Sequence, residues 1–170
     1  MIIVHTESNA FTAINWEEIA AIETIENKID ERLEIFATRI YTYENIYYSP
    51  LSVERFLNAI CQLGGATYRG RVSAARRILR LKRRAPLLIG YAPTSIIALP
   101  LPKITKKGVI YLFIPHRFPY KITLVDSTTV KILVNHSVSL SISLSERTFK
   151  KRLTQVKVLE QFVKLIEEDI

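Results

Sequence analysis

Eight basic side chains and no acidic one fall between residues 69 and 84: Arg69, Arg71, Arg76, Arg77, Arg80, Lys82, Arg83 and Arg84. Like charges at that spacing repel one another unless an anion lies against them, so the segment is suited to binding a polyanion. Nucleic acid is the commonest such partner of a basic protein, and a solvated segment without a ligand is the alternative. Arg69 and Arg71 flank Gly70, and a turn there would present two guanidinium groups with little backbone in the way. Arginine placed in the narrow, negative minor groove of AT-rich duplex reads groove shape rather than base identity. Arg71 is equally suited to a structural role, bound to carbonyls or a carboxylate of the core. Arg76, Arg77, Arg80, Arg83 and Arg84 suit phosphate contacts, with Lys82 in the same run. Arg147, Lys150, Lys151 and Arg152 form a possible second strip.

Other chemistry has little support. His5, His116 and His136 are far apart, and none has a cysteine or carboxylate at ligand spacing, so no metal is expected. Cys61 is alone and sits in an apolar-striped segment, which suits packing better than nucleophilic attack. Gly64, Gly65 and Gly70 are not followed by the Gly-Lys-Ser/Thr of a phosphate loop. Carboxylates in the basic part are few: Asp126 falls in a predicted turn and Glu146 resembles a helix cap. Paired acid/base or two-metal catalysis needs more than these. Neither an enzyme nor a cofactor is expected.

These residues must be held by the elements around them. With 170 residues and 48% hydrophobic content, the chain can bury a core as one domain over 1–170. Charge is unevenly spread. Residues 1–60 carry four basic and ten acidic groups, a net of −6, and residues 61–170 carry twenty and six, a net of +14. The chain therefore divides into an acidic amino-terminal part (1–49) and a basic body (50–170). A lone cysteine fits a reducing compartment. The amino terminus lacks a signal-peptide pattern, and Pro93, Pro100 and Gly90 break up the most apolar region. A cytoplasmic protein without membrane contact is expected.

The pattern predicts an α+β fold: a mainly antiparallel β core, a helix near residues 52–63 and a long C-terminal helix. Ser52 caps the first helix, whose stripe is Phe56, Leu57, Ile60 and Leu63, and Gly64-Gly65 ends it. From Trp16 to Leu33 the pattern fits helix and strand alike. Thr38–Tyr48 has the composition of a strand or of a hairpin around Glu44-Asn45. The basic run is ambiguous: Val72, Ala75, Ile78 and Leu79 fit a helical face, whereas Leu79 to Lys82 alternates. Short β-prone runs follow at 86–89, 96–99, 109–114, 120–125, 130–134 and 138–144. The last of these places Val138, Leu140, Ile142 and Leu144 on one face. The final helix begins near Ser145. Ser143 and Glu146 have capping-box spacing, and Leu153, Val156, Leu159, Phe162, Val163 and Ile166 form the stripe. Its first turns are basic and its end, Glu167, Glu168 and Asp169, is acidic, so both oppose the macrodipole.

At Gly65-Ala66-Thr67-Tyr68-Arg69-Gly70-Arg71 the chain resembles the competence transcription factor ComK family, in which a Gly-small-small-Tyr-x-Gly-Arg element follows an apolar segment. The likeness continues through Arg84 to Ile89, Ile96 to Pro100, Gly108-Val109-Ile110 and the 139–149 junction, covering roughly residues 50–155. Val109 stands where the family often has an aromatic residue, and Ala85 where it has a proline. The resemblance implies an oligomeric DNA-binding activator of DNA-uptake genes that recognises AT-rich promoter boxes in double-stranded DNA. Its further partners would be itself, a proteolytic adaptor and RNA polymerase. Two other readings remain. One is an RNA- or single-strand-binding module, given the tyrosines of 41–48, although these lie away from the basic run. The other is an adaptor using the basic segment against acidic proteins or lipid surfaces.

Overall fold

The computed structural model describes residues 2–3, 14–29, 35–90, 96–104, 108–115, 121–135 and 137–168. A short 3₁₀ turn at Trp16–Glu18 leads into β2 (Ile19–Ile29), which follows the two-residue β1 (Ile2–Ile3). Then come β3 (Ile35–Thr42), β4 (Ile46–Ser49), α1 (Val53–Leu63) and α2 (Tyr68–Leu79). The remainder is β5 (Leu87–Gly90), β6 (Ile96–Pro102), β7 (Val109–Pro115), β8 (Lys121–Asp126), β9 (Thr129–Leu133), β10 (Ser139–Ile142) and α3 (Glu146–Glu168). The fold is α+β, with its strands in two sheets. The larger has the order β1-β4-β3-β2-β7-β6-β5, antiparallel except for the parallel β1–β4 pair, and the smaller is the antiparallel set β10-β9-β8.

The larger sheet is buried on both faces, and its alternation divides the core in two. Ala21, Tyr41, Leu99, Leu101, Ile110 and Leu112 join Val130, Ile132, Leu140 and Ile142 of the small sheet and Phe149, Val156, Leu159 and Val163 of α3. On the opposite face, Ile22, Ile40, Ala98 and Phe113 meet Phe56, Leu57, Ile60 and Cys61 of α1. The stretch that fitted helix and strand alike is β2. Its Ala20, Ala21 and Ile22 are all fully buried, so no polar alternation marks it as a strand. The acidic amino-terminal part thus supplies β2, β3 and β4 to the same sheet as β5–β7 of the basic body.

Glu23 on β2 is buried in this sheet and is matched by charge. Arg39 Nη1 lies 3.1 Å from its Oε1, Lys103 Nζ lies 3.1 Å from its Oε2, and the Tyr41 hydroxyl also donates to Oε1. Arg39 stacks 5.4 Å from the ring centroid of Tyr48. Burial, with the Glu23 hydrogen bond, pushes the Tyr41 phenol far above its ordinary range.

Three local expectations are corrected. The cap of α3 is Ser145, whose Oγ accepts from Thr148 N at 3.2 Å, rather than Ser143; Glu146 instead pairs with Lys150 at 3.0 Å. Phe162 is 40% exposed and stands off the buried stripe. The segment around Gly70 is the first turn of a helix rather than an open turn. His5, His116, His136 and Tyr120 lie outside the described residues, as does the side chain of Ile166.

Candidate nucleic-acid interface

The basic helix is fixed at its start by three contacts. Thr67 Oγ1 accepts from Gly70 N at 3.0 Å, capping α2. Tyr68 N donates to Asn58 Oδ1 of α1 at 3.0 Å, and the Tyr68 hydroxyl lies 3.3 Å from that of Tyr111 on β7. Gly65, with φ +79, makes the left-handed turn that separates α1 from α2. Along α2, Tyr68 and Val72 pack into the α1 side of the core, while Ala75 and Ile78 pack into the α3 side. The helix therefore bridges both layers and contacts β5, the edge strand.

Helical phase then sorts the arginines. Arg69, Arg76 and Arg77 point to solvent, together with Gly70, Ser73 and Ala74 between them. The result is a face with Arg69 at the start of the helix, Arg76 and Arg77 near its end, and little bulk along the turns between them. Arg71 falls on the inner side with Ala75, is 7% exposed, and its Nη2 donates to the Gly64 carbonyl at 3.2 Å. Its charge also lies close to Cys61, though burial dominates there and pushes the thiol up to about 11. Of the two roles open to Arg71, the geometry provides the structural one, and Arg69 and Arg71 do not form a side-by-side pair.

Beyond α2 the chain makes a compact basic loop. Arg80, with φ 53, ends the helix in the left-handed conformation, and its N–H donates to the Arg76 carbonyl. Arg84 is also left-handed, with φ 53. That conformation is disfavoured for residues with a Cβ. Arg80, Lys82, Arg83 and Arg84 are all exposed.

The second strip is brought beside the first, since α2 and α3 are in contact. Its members differ in placement. Arg147, Lys150 and Lys151 are exposed, with Lys150 paired to Glu146, whereas Arg152 is half-buried and donates from Nη1 to the Pro100 carbonyl at 3.1 Å. Burial and the neighbouring Arg84 charge both lower the Arg152 pKa. The hydrogen bond of Arg152 to the Pro100 carbonyl was not foreseeable from the sequence, and neither was the Glu23–Arg39–Lys103 group. The one sequence signal for the latter was a pair of opposite charges, Glu23 and Arg39, inside apolar β-prone runs.

Among the described residues no group of three or more metal-ligating side chains forms, and no helix is long and apolar enough to cross a membrane. The fold is that of a small α+β protein with a basic face on α2 and the loop that follows it. The sequence model of the ComK protein family matches residues 19–165, from the first residue of β2 to near the end of α3. The chain therefore belongs to the ComK family, a family of competence transcription factors rather than enzymes. Searches of curated proteins and of solved structures find no match.

Proposed function

We propose that this protein is a DNA-binding transcription activator of the competence type, acting on AT-rich promoter boxes in double-stranded DNA. The observation that carries the reading is the outward set Arg69, Arg76, Arg77, Arg80, Lys82, Arg83 and Arg84 on α2 and its following loop, in a chain of this family. The low bulk of Gly70, Ser73 and Ala74 lets phosphates approach the helix, with Arg69, Arg76 and Arg77 as their counter-charges. The loop from Arg80 to Arg84 is wholly cationic at its exposed positions, which suits the strongly negative minor groove of AT-rich duplex. Arg147 and Lys151 extend the contact along the phosphates. The chain works as one domain, since acidic and basic parts share a sheet.

Promoter spacing requires more than one copy on the duplex. The exposed Val158, Phe162 and Leu165 recur on one face of α3 and favour self-association there. A second copy running antiparallel would set the acidic end of one helix against the basic start of the other, relieving charges that oppose the macrodipole. RNA polymerase and a proteolytic adaptor are the further partners of such an activator, in the cytoplasm.

The test is fluorescence anisotropy with two duplexes of equal length, one carrying spaced AT-rich boxes and one GC-rich, across a salt series. Selective binding to the AT-rich duplex supports the reading. Equal, weak binding to both overturns promoter preference and leaves a general nucleic-acid binder.

A further inference from the structure

A cleft of about 350 Å³ opens between α1 and the start of α2. Glu54, Arg55 and Asn58 line it from α1, and Thr67, Tyr68 and Arg69 line it from the cap and first turn of α2. Residues three and four apart are neighbours on a helix surface, so the α1 members share one side of that helix. Tyr68 fixes the two walls relative to each other. Its N–H donates to Asn58 Oδ1 at 3.0 Å, and its hydroxyl lies 3.3 Å from that of Tyr111 on β7. The cleft is therefore built into the packing of the two helices.

Its side chains offer mainly hydrogen-bond donors. Asn58 spends Oδ1 on Tyr68, which leaves the Nδ2 amide as a donor with no acceptor among the described residues. Thr67 Oγ1 accepts from Gly70 N at 3.0 Å, so the hydroxyl proton is likewise left to donate. Arg55 and Arg69 are exposed, and among the described residues no carboxylate pairs with either. Glu54 is the single acidic group in the lining, set against two guanidinium groups. That set fits an anion carrying several acceptor oxygens.

We infer that this cleft seats a sugar-phosphate unit of the DNA strand that lies along α2, which makes Arg55, Asn58 and Thr67 contacts of the duplex. The inference rests on the DNA-binding reading above and carries that interface from α2 onto α1. Arg69 and Arg76 are two helical turns apart, about 11 Å along the axis. One strand carries a phosphate every 3.4 Å or so of duplex axis, so a strand that meets Arg76 and Arg69 has further phosphates beyond the start of α2, where the cleft lies. A phosphate there takes charge-assisted hydrogen bonds from Arg55 and Arg69 and further bonds from Asn58 and Thr67, while the sugar rests against the aliphatic stems of the arginines. Backbone contacts of this kind set register and orientation rather than sequence preference. The cleft thus fixes how the loop from Arg80 to Arg84 is presented to the groove.

The experiment is an anisotropy titration of an AT-rich duplex across a salt series, with thermal melts to establish that each variant is folded. Arg55→Gln should weaken binding roughly fivefold at physiological salt and make the salt slope shallower by about 0.9, the share of one phosphate. Glu54→Gln removes a charge that opposes the phosphate, so it should tighten binding about twofold. Asn58→Asp keeps an acceptor for the Tyr68 N–H but replaces the donor by an anion, and it should weaken binding at least fivefold with the fold intact. A scan of the duplex with single neutral methylphosphonates completes the double-mutant cycle: at one position the substitution should weaken the parent severalfold and the Arg55→Gln protein not at all. The inference is overturned if Arg55→Gln and Asn58→Asp bind as the parent does and no methylphosphonate tells Arg55→Gln from the parent. In that case weakened binding by Arg76→Ala with Arg77→Ala would show that the DNA-binding reading survives without the cleft. A parent protein that binds no duplex would overturn both.

Discussion

Replacing Arg69, Arg76 and Arg77 together by alanine separates the outer face of α2 from its inner face. Seven cations of the run point outward and Arg71 points in. If each outward cation of the run neutralises one phosphate, the run's share of the slope of log K against log salt should be about −6, since each phosphate contributes roughly 0.9. The triple variant keeps four of them, so that share should fall to about −4. Between 50 and 200 mM salt the run's share alone would cost the parent roughly four orders of magnitude in affinity and the variant roughly two. The fold should tolerate the change: the three side chains are exposed, alanine is at least as good a helix former as arginine, and removing like charges relieves repulsion within the helix. Arg71→Ala is the counterpart. It should leave the run's share near −6 but cost about 2 kcal/mol of stability, because it removes the buried guanidinium that satisfies the Gly64 carbonyl. Anisotropy titrations at several salt concentrations give the slope, and urea denaturation gives the stability. An unchanged slope in the triple variant would refute the assignment of the outer face. So would an Arg71→Ala protein of normal stability with a shallower slope.

Further predictions concern the parts that hold this face in place. Glu23→Ala should destabilise the sheet by about 3 kcal/mol, because Arg39 and Lys103 lose their common carboxylate; chemical denaturation should register it even at high salt, since the site is buried. Cys61 should resist alkylation at pH 8 in the native protein and react once the chain unfolds, as read by mass spectrometry. Its folded-state pKa is raised to about 11, so the stabilisation linked to its neutral thiol is complete below the unfolded value near 8.5 and is lost as pH rises toward 11. Gly64→Ala would place a Cβ 2.9 Å from the Ile89 carbonyl oxygen and should cost about 1–3 kcal/mol. Gly65→Ala meets open space but a φ of +79, and should cost about 1 kcal/mol; thermal melts compare the two.

The sequence was legible where one side of an element faces water. Helix α1 shows both its cap, Ser52, and its glycine stop, and the hairpin of β3 and β4 shows its turn at Glu44-Asn45. Strand β10 alternates because Ser139 and Ser141 face away from Leu140 and Ile142. Strand β2 was not legible, because burial on both faces removes the polar beat that distinguishes strand from helix. The basic run was half legible. Its eight charges raise the expectation of a polyanion partner, but composition gives no reason to set Arg71 apart. The signal lay in phase: Arg71, Ala75 and Ile78 stand at i, i+4 and i+7, on the very face that Val72 and Leu79 complete. The hydrogen bond from Arg152 to the Pro100 carbonyl depends on the docking of α3 against the sheet, a contact between residues 52 apart in sequence that no local pattern encodes.

Sheet order also sets the amino-terminal part apart from the basic run. Its strands β2, β3 and β4, which carry two acidic and two basic residues, run from the middle of the large sheet toward one edge, and β5, with α2 against it, forms the other. Four strand spacings separate β3 from β5, about 20 Å at roughly 4.8 Å each. At physiological salt the screening length is only about 8 Å, so a charge near β3 acts weakly on the outer face of α2. Glu44, exposed in the turn between β3 and β4, is the test case. Glu44→Lys should change duplex affinity by less than about twofold at 0.15 M salt, with a larger gain at 0.01 M, where the screening length reaches about 30 Å. If the acidic part instead folded over the basic face and masked it, reversing this charge would raise affinity severalfold at 0.15 M. That outcome in an anisotropy titration would show that the acidic edge competes with nucleic acid rather than merely orienting the protein upon it.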